Sequence, residues 1–232
     1  MEIFLAEIVG TALLILLGDG VVANVVLDKT KGNNSGWIVI TAGWAMGVAF
    51  AVYAVGRVSG AHLNPAVTLA LASIGELKWN LVPLYFGAQM VGAFLGAVLV
   101  FISYHGHWKE TEDPDAKLAV FCTAPAIPNK GANFVTEAIG TAVLVFGVLA
   151  IGANAGTIQG VDLQAAFSTA LNPLLVGLLV FSIGLSLGGP TGYAINPARD
   201  LGPRIAHAVL PVAGKRDSDW GYSWVPVVGP LV

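Results

Sequence analysis

Two stretches of the sequence decide the fold: Ser59-Gly60-Ala61-His62-Leu63-Asn64-Pro65-Ala66 and Thr191-Gly192-Tyr193-Ala194-Ile195-Asn196-Pro197-Ala198. Both end in Asn-Pro-Ala. Asn is a favoured residue at a helix N-cap, and Pro at the first helical position wastes no hydrogen-bond donor. Each stretch therefore predicts the start of a helix, and we expect short helices over residues 64–75 and 196–206.

The rest of the chain is apolar enough to lie in lipid. Hydrophobic residues make up 56% of the sequence and charged residues only 11%, whereas a soluble domain carries about 25% charged residues. A membrane-spanning helix needs about 20 mostly apolar residues. Windows of this kind predict helices near residues 3–27, 37–56, 80–104, 134–153 and 164–186, and a sixth that starts near 221. Residues 105–132 and 203–220 are predicted to form aqueous loops.

Both Asn-Pro-Ala stretches fall inside uncharged segments that a simple count of spans does not explain. Residues 58–75 follow a complete span without a polar break, and residues 163–198 are too long for one span. Each segment needs a second element that stays at membrane depth without crossing. Non-helical backbone is tolerated there only if it is buried in protein or lines a wet cavity. The pattern therefore predicts two re-entrant loops that line a pore.

The two halves of the chain repeat each other. Glu7-Ile8-Val9-Gly10-Thr11-Ala12-Leu13-Leu14 resembles Glu137-Ala138-Ile139-Gly140-Thr141-Ala142-Val143-Leu144. We expect one domain over residues 1–232, with repeats at about 1–105 and 133–232. Each repeat has three spans, so the second is inverted, and inverted repeats share a site near the membrane midplane. The predicted fold is an all-α polytopic membrane protein with six transmembrane helices and two re-entrant half-helices.

The sixth span is short. From Tyr222 to Val232 the sequence leaves a helix of roughly 16 Å at 1.5 Å per residue, about half of the ~30 Å hydrocarbon core. We therefore expect this helix to be truncated.

Composition argues against several functions. A net charge of −3 does not favour nucleic-acid binding. The single cysteine, Cys122, excludes an internal disulfide and makes a metal cluster improbable. No cofactor or metal is expected.

On these residues the chain resembles the major intrinsic protein family, the aquaporins and glycerol facilitators, over essentially its whole length. The resemblance is carried by the two Asn-Pro-Ala boxes in an inverted repeat, by Ser59–Ala66, and by Ala198-Arg199-Asp200. It implies a homotetramer in the cell membrane, in contact with lipid, with one pore per subunit for glycerol, other small uncharged solutes and water. It also implies that the positive ends of the half-helices and an Arg exclude protons and ions, which is the general account of aquaporin-type pores.

The resemblance further implies a selectivity filter of Trp44, Gly184, Tyr193 and Arg199. Water-selective members typically have His where this chain has Gly184. The vacant space suits a polyol, because the aromatic corner faces its CH edge and Arg199 faces its hydroxyl edge. Glycerol facilitators often have Phe at the position of Tyr193, so the phenol hydroxyl is expected to narrow or polarise the opening. Asp200, Arg204 and Pro226 also agree with the glycerol sub-class.

Other residues are predicted to support this pore. Solute-facing carbonyls are expected at Gly60, Ala61, His62, Gly192, Tyr193 and Ala194. Glu7 and Glu137 are expected to accept hydrogen bonds from the re-entrant loops, and Asp200 and Arg204 to brace a loop. The His62 side chain is also expected to brace a loop, and Asp19 to anchor one by a hydrogen bond.

Several alternatives stay open. Within the family, the rival is a channel mainly for water. An ion-coupled secondary transporter is a different class, since inverted repeats with broken helices also build transporters, although the sequence places no acid pair beside the Asn-Pro-Ala boxes. A non-conducting adhesive membrane protein fits the pore residues less well. An enzyme fits least, because no set of a nucleophile with a base, and no set of metal ligands, emerges.

Overall fold

The computed structural model describes residues 1–154, 157–158 and 161–232, and most of the described residues are helical. In chain order the helices are α1 (Glu2–Val26), α2 (Trp37–Ser59), α3 (Pro65–Ser73), α4 (Val82–Ser103), α5 (Pro114–Phe121), α6 (Lys130–Ala153), α7 (Gln164–Ala166), α8 (Asn172–Leu187), α9 (Pro197–Val209) and α10 (Trp224–Val228). Two 3-10 turns, Trp79–Leu81 and Gly229–Leu231, adjoin α4 and α10, and a π-helical segment, Phe167–Leu171, joins α7 to α8. Two short antiparallel strands, β1 (Thr157–Ile158) and β2 (Val161–Asp162), follow α6.

Five helical segments among the described residues are long and apolar enough to cross a membrane. They are Glu2–Val26, Trp37–Ser59, Trp79–Ser103, Lys130–Ala153 and Gln164–Leu187. They match the five complete spans expected from the sequence to within a few residues. The sixth predicted helix begins at Trp224 rather than near 221.

The spanning helices pack closely because glycines stand at their contacts. α1 packs against both α2 and α4. A Cβ at Gly92 would lie 2.5 Å from the Ile8 carbonyl oxygen, and one at Gly96 would lie 2.6 Å from that of Ala12. Small residues at such contacts let helix backbones approach in lipid.

The outer faces of the bundle carry exposed apolar side chains. Phe146 is 74% exposed and Ile102 is 60% exposed. Lipid tails can cover such side chains without the cost of meeting water, so these faces suit a membrane.

The two half-helices, α3 and α9, touch each other inside the bundle, and both pack against α4. α3 ends at Ser73, two residues before the predicted end, and α9 continues to Val209 past Pro203. The predicted loop 203–220 is therefore wrong for its first residues.

The predicted aqueous loop 105–132 is also partly wrong, because it contains α5. The Asp113 side chain caps this helix by accepting a hydrogen bond from the Asp115 amide at 2.8 Å, and Pro114 occupies the first turn. Leu118, Val120 and Phe121 on α5 are buried, and α5 packs against α1 and α9. Part of this segment therefore packs on α1 and α9 instead of forming an irregular loop in water.

The loop between α1 and α2 is tied to the segment between α4 and α5. The Thr111 hydroxyl accepts a hydrogen bond from the Asp28 amide at 2.9 Å. Lys29 and Glu110 form an ion pair whose hydrogen bond raises the pKa of Lys29 and lowers the pKa of Glu110. Both groups therefore stay charged near neutral pH.

Candidate functional site

Each Asn-Pro-Ala box starts a half-helix in the way its sequence predicts. The Asn64 side-chain oxygen accepts a hydrogen bond from the Ala66 amide at 2.9 Å, at the start of α3. The Asn196 oxygen accepts from the amides of Ala198 and Arg199 at 3.0 and 3.2 Å, at the start of α9. In both cases the N-cap backbone is extended and Pro follows directly.

The two N-caps also bind each other's loops. The Asn64 side-chain nitrogen donates to the Ile195 carbonyl at 2.8 Å, and the Asn196 nitrogen donates to the Leu63 carbonyl at 2.8 Å. An Asn amide has two N–H groups, so each residue keeps a second donor after this bond. The positive ends of α3 and α9 therefore meet, with one spare amide N–H on each side.

Both loops before the half-helices hold a strained backbone. Ala61 and Leu63 have φ of 49° and 53°, and Tyr193 and Ile195 have φ of 39° and 42°. Such values are uncommon for residues other than glycine and cost free energy unless neighbouring groups enforce them.

Two buried glutamates supply that enforcement. Glu7 on α1 accepts hydrogen bonds from the backbone amides of His62 and Leu63 at 3.0 and 2.8 Å. Glu137 on α6 accepts from the amides of Ala194 and Ile195 at 3.0 and 2.8 Å. Each carboxylate thus holds two successive amides of a re-entrant loop.

The His62 side chain contacts residues of two neighbouring helices. Its Nδ1 lies 3.0 Å from the Thr68 hydroxyl, and its ring stacks on Tyr85 with the centroids 4.3 Å apart. Its side chain therefore links the first loop to α3 and α4.

A cavity passes between the loops and the helices around them. Its lining includes apolar side chains of the helices, namely Leu14, Val48, Val52, Val67, Leu71, Leu144, Val148, Val176 and Val180, and the polar residue Asn172. The two loops and their caps also line it, through Gly60, Ala61, His62, Leu63, Asn64, Tyr193, Ala194, Ile195 and Asn196, together with Arg199. Gly192 precedes Tyr193 in the second loop, and a Cβ built on it would meet Thr123 at 3.4 Å.

Three of the four predicted filter residues line the cavity, namely Trp44, Tyr193 and Arg199, and Gly184 lies directly behind Tyr193. A Cβ on Gly184 would stand 2.8 Å from Tyr193 Cζ. The Arg199 guanidinium lies over the Trp44 ring, with Cζ 4.1 Å from the ring centroid. The structure therefore brings all four residues together.

Trp37 belongs to this group, although sequence reasoning missed it. Its indole N–H donates to the Gly184 carbonyl at 2.9 Å, and its ring meets Tyr193 edge-on with the centroids 5.8 Å apart. Its position at the start of α2 resembles that of any interfacial Trp, so the sequence held no distinguishing signal.

Asp19 on α1 contacts the predicted filter through Arg199. It is fully buried, and its Oδ1 lies 3.3 Å from Arg199 Nη1. The expectation that Asp19 anchors a loop was wrong, because its hydrogen bond goes to a side chain on α9. An ionisable residue inside a membrane helix was the signal that could have found it.

Asp200 and Arg204 brace the end of the bundle near the filter. Asp200 Oδ2 accepts hydrogen bonds from the amide and the hydroxyl of Thr123, both at 2.8 Å. Arg204 pairs with Asp200 at 2.8 Å and donates to the Ser218 and Thr123 carbonyls at 2.7 and 3.0 Å. These contacts join α9 to the segment after α5, which contains Thr123, and to the segment after α9, which contains Ser218.

A comparison with protein families decides the class. The model of the family described as "Major intrinsic protein" matches residues 1–232. The chain belongs to the major intrinsic protein family.

Relatives agree with that membership. This major intrinsic protein is 65% identical over 232 residues to the "Probable glycerol uptake facilitator protein" of Thermotoga maritima, covering 100% of this chain and 94% of the relative. It is 57% identical over 232 residues to the "Glycerol uptake facilitator protein" of Bacillus subtilis, covering 100% of this chain and 81% of that relative.

A solved structure agrees as well. The X-ray structure of the aquaglyceroporin from Plasmodium falciparum superposes with a TM-score of 0.83 at 33% identity, covering 100% of this chain and 90% of the other. The predicted family and the predicted all-α polytopic fold are confirmed, and this major intrinsic protein is a multi-pass membrane protein. Within the described residues, no three His, Cys, Asp or Glu side chains are grouped so that they could hold a metal ion.

Proposed function

We propose that this chain is a passive channel, and not an enzyme, that lets glycerol, other small uncharged solutes and water cross the membrane. The observation that carries the proposal is a cavity lined both by apolar helix side chains and by polar groups, namely the loop backbone, Asn64, Asn172, Asn196 and Arg199. Glycerol has a CH edge and a hydroxyl edge. A solute of this kind can keep its hydroxyls hydrogen-bonded to the polar groups while its carbon edge contacts the apolar side chains, so it crosses without the cost of unpaired polar groups.

The ring of Trp44, Gly184, Tyr193 and Arg199 is our candidate for the selectivity filter. Trp44 and Tyr193 give it an apolar corner, and Arg199 gives it donors. In the described residues, the Arg199 side chain uses only Nη1 for hydrogen bonds to protein, to Asp19 and to the Phe121 carbonyl at 3.4 Å. Its Nε and Nη2 groups are therefore available to the hydroxyls of a solute.

Beyond the filter, the carbonyls of Gly60, Ala61, His62, Gly192, Tyr193 and Ala194 are candidates to accept hydrogen bonds from the solute. The spare N–H groups of Asn64 and Asn196 can donate to it at the point where α3 and α9 meet. A cation at that point faces the positive ends of two helices, so we infer that protons and other cations are excluded there, as in the general account of aquaporin-type pores.

The names of the relatives support glycerol as a solute, since those from Thermotoga maritima and Bacillus subtilis are called glycerol uptake facilitators. The space beside Gly184 supports the same choice over a channel for water alone, because it is filled by the Tyr193 ring instead of the His side chain that water-selective members typically carry there.

We also infer that the chain is a single domain built from two inverted repeats, at about 1–105 and 133–232. The paired roles of Glu7 and Glu137, and of Asn64 and Asn196, support this division. A homotetramer with one pore per subunit follows from the family resemblance. A protein mass of one or two subunits in mild detergent would contradict the tetramer.

The test of function is light scattering from proteoliposomes. Vesicles are challenged with glycerol in one run and with an impermeant osmolyte in another, so that solute flux and water flux are separated. We expect glycerol flux well above that of protein-free vesicles, without saturation over a wide range and unaffected by sodium or proton gradients.

Two results would overturn the proposal. Glycerol flux equal to that of protein-free vesicles, with water flux present, would indicate a water channel. Accumulation of glycerol against its gradient, driven by sodium or protons, would indicate a coupled transporter.

A further inference from the structure

Three buried acids on the spanning helices differ in what they bind. Glu7 and Glu137 each accept hydrogen bonds from two backbone amides of a re-entrant loop. Asp19 is equally buried, yet among the described residues its one hydrogen-bond partner is the Arg199 side chain, and its Oδ2 has none. A carboxylate that only shaped the backbone would bind backbone donors, so the role of Asp19 concerns Arg199.

The Arg199 side chain is fixed between α1 and α2. Nη1 faces Asp19 Oδ1 at 3.3 Å, and the guanidinium plane lies over Trp44. The side chain of Arg199 is only 8% exposed and that of Asp19 is 0% exposed. Salt screens such a buried pair weakly, so the Asp19 carboxylate interacts with the Arg199 guanidinium more strongly than it would in an exposed pair.

Gly18, the residue before Asp19, contacts the Trp44 ring on which the Arg199 guanidinium lies. A Cβ on Gly18 would stand 2.2 Å from Trp44 Cζ3, so Trp44 packs directly on the backbone of α1. Gly18 thus leaves room for the Trp44 ring, and Asp19 binds the Arg199 guanidinium that lies over this ring. This pair of neighbours makes α1 a part of the filter wall.

We propose that Asp19 is a specificity-determining residue, the counter-ion that makes the filter electrically neutral. The inference rests on the proposed function, because it needs Arg199 to face the solute path. An Arg without a counter-ion in a narrow, poorly hydrated passage is an anion-binding site. With Asp19 beside it, Arg199 keeps its hydrogen-bond donors for uncharged hydroxyls but loses its attraction for small anions.

The consequence is that removing the charge of Asp19 converts the filter into a site for small anions. Asp19→Asn keeps a side-chain oxygen that can accept from Arg199 Nη1, so it changes the charge more than the geometry. A small anion then competes with glycerol for Arg199. Asp19→Glu keeps the charge and is the conservative variant.

The experiment compares glycerol flux in two salts. Proteoliposomes carry the same concentration of sodium nitrate, or of sodium gluconate, on both sides, at about 100 mM. Nitrate is small and gluconate is too large to enter. The measured quantity is the ratio of glycerol permeability in nitrate to that in gluconate, so a change in the basal flux of a variant cancels.

We expect a ratio near one for the unmodified protein and for Asp19→Glu. For Asp19→Asn we expect the ratio to fall about twofold or more, the loss that half-occupancy of a single-file site gives. Asp28→Asn is the matched control, since it removes the same charge just beyond the end of α1 and has no contact with Arg199; its ratio is expected to stay near one. If Asp19→Asn does not fold, Asp19→Ser carries the same expectation.

Each result decides the proposal. A folded, glycerol-conducting Asp19→Asn or Asp19→Ser protein with a ratio near one would overturn it, as would nitrate inhibition of the unmodified protein. Equal sensitivity of Asp28→Asn would also overturn it, because the effect would then be one of general surface charge. Absence of glycerol flux in the unmodified protein is a different result, and it would count against the proposed function instead.

Discussion

The ring of Tyr193 occupies the space that a side chain on Gly184 would need. A Cβ built on Gly184 would stand 2.8 Å from Tyr193 Cζ, 3.0 Å from its hydroxyl oxygen and 2.8 Å from Thr41 Cγ2. Because all three atoms belong to packed side chains, Tyr193 in this position requires glycine at residue 184. The width of the candidate filter therefore depends on two residues that cannot be changed independently.

Enlarging residue 184 should reduce glycerol flux more than water flux. In Gly184→Ala and Gly184→His the new side chain displaces Tyr193 or narrows the ring, and strain of about 1–3 kcal/mol is typical of an overpacked site. That strain slows glycerol roughly five- to a hundredfold, with His the more severe. The measurement is the ratio of glycerol to water permeability in proteoliposomes. Gly87→Ala is the control, since its Cβ meets open space. An unchanged ratio in a folded Gly184→His protein would show that residue 184 does not shape the filter.

Removing the Tyr193 hydroxyl should reduce neither the stability of the protein nor its glycerol flux. This oxygen is buried and makes no hydrogen bond in the part of the chain that the structure describes. A buried unpaired polar group costs about 1–3 kcal/mol, so Tyr193→Phe is expected to stabilise the fold by about 1 kcal/mol and to keep glycerol flux. Thermal unfolding in detergent and glycerol flux are the two measurements. A clear loss of stability would reveal a partner for the hydroxyl, such as a water molecule in the pore.

Trp37 should set how firmly Tyr193 is held. Trp37→Phe keeps an aromatic edge against Tyr193 but loses the hydrogen bond to the Gly184 carbonyl, worth about 1 kcal/mol. We expect Tyr193 to be held less firmly, so that the filter passes larger polyols. This would be seen as a rise in the ratio of erythritol to glycerol permeability. Trp79→Phe, which alters an exposed Trp at the start of the α4 segment, should leave that ratio unchanged. A rise in both variants would mean that the effect comes from the membrane interface.

Glu7 should matter through its acceptor atoms rather than through its size. Its two oxygens accept hydrogen bonds from Ser59, His62, Leu63 and Gln89 at 2.6–3.0 Å. In Glu7→Gln one oxygen becomes an NH2 group that faces a donor, and a loss on the order of 3 kcal/mol of stability is expected. Thermal unfolding measures it, with the exposed Glu76→Gln as control. Equal midpoints for the two variants would exclude Glu7 as the support of the first loop.

Much of this fold was predictable because few structures are stable in lipid. Mostly apolar segments of the right length predicted five spans, and Asn-Pro-Ala predicted the starts of α3 and α9, since both signals depend on local chemistry. α5 was missed because its eight residues lie in a mixed, charged segment, and its apolar side chains become buried only through contact with α1 and α9.

The site residues that could be predicted from the sequence are those that lie in or directly beside a recognisable motif. Arg199 follows Asn-Pro-Ala directly, but its contact with Asp19 spans 180 residues, and no local pattern indicates that distance. The bond from Trp37 to Gly184 spans 147 residues and is hidden in the same way.

The crossed bonds of Asn64 and Asn196 impose an order on the making of the protein. Each Asn is separated by more than 130 residues from the carbonyl that it binds. At a synthesis rate of 5–20 residues per second, roughly ten seconds pass between the emergence of the first box and that of the second. Throughout that interval the Leu63 carbonyl lacks its partner, and an unpaired carbonyl is costly in hydrocarbon. The nascent first half must therefore keep this loop wet or sheltered by the insertion machinery until its counterpart is made.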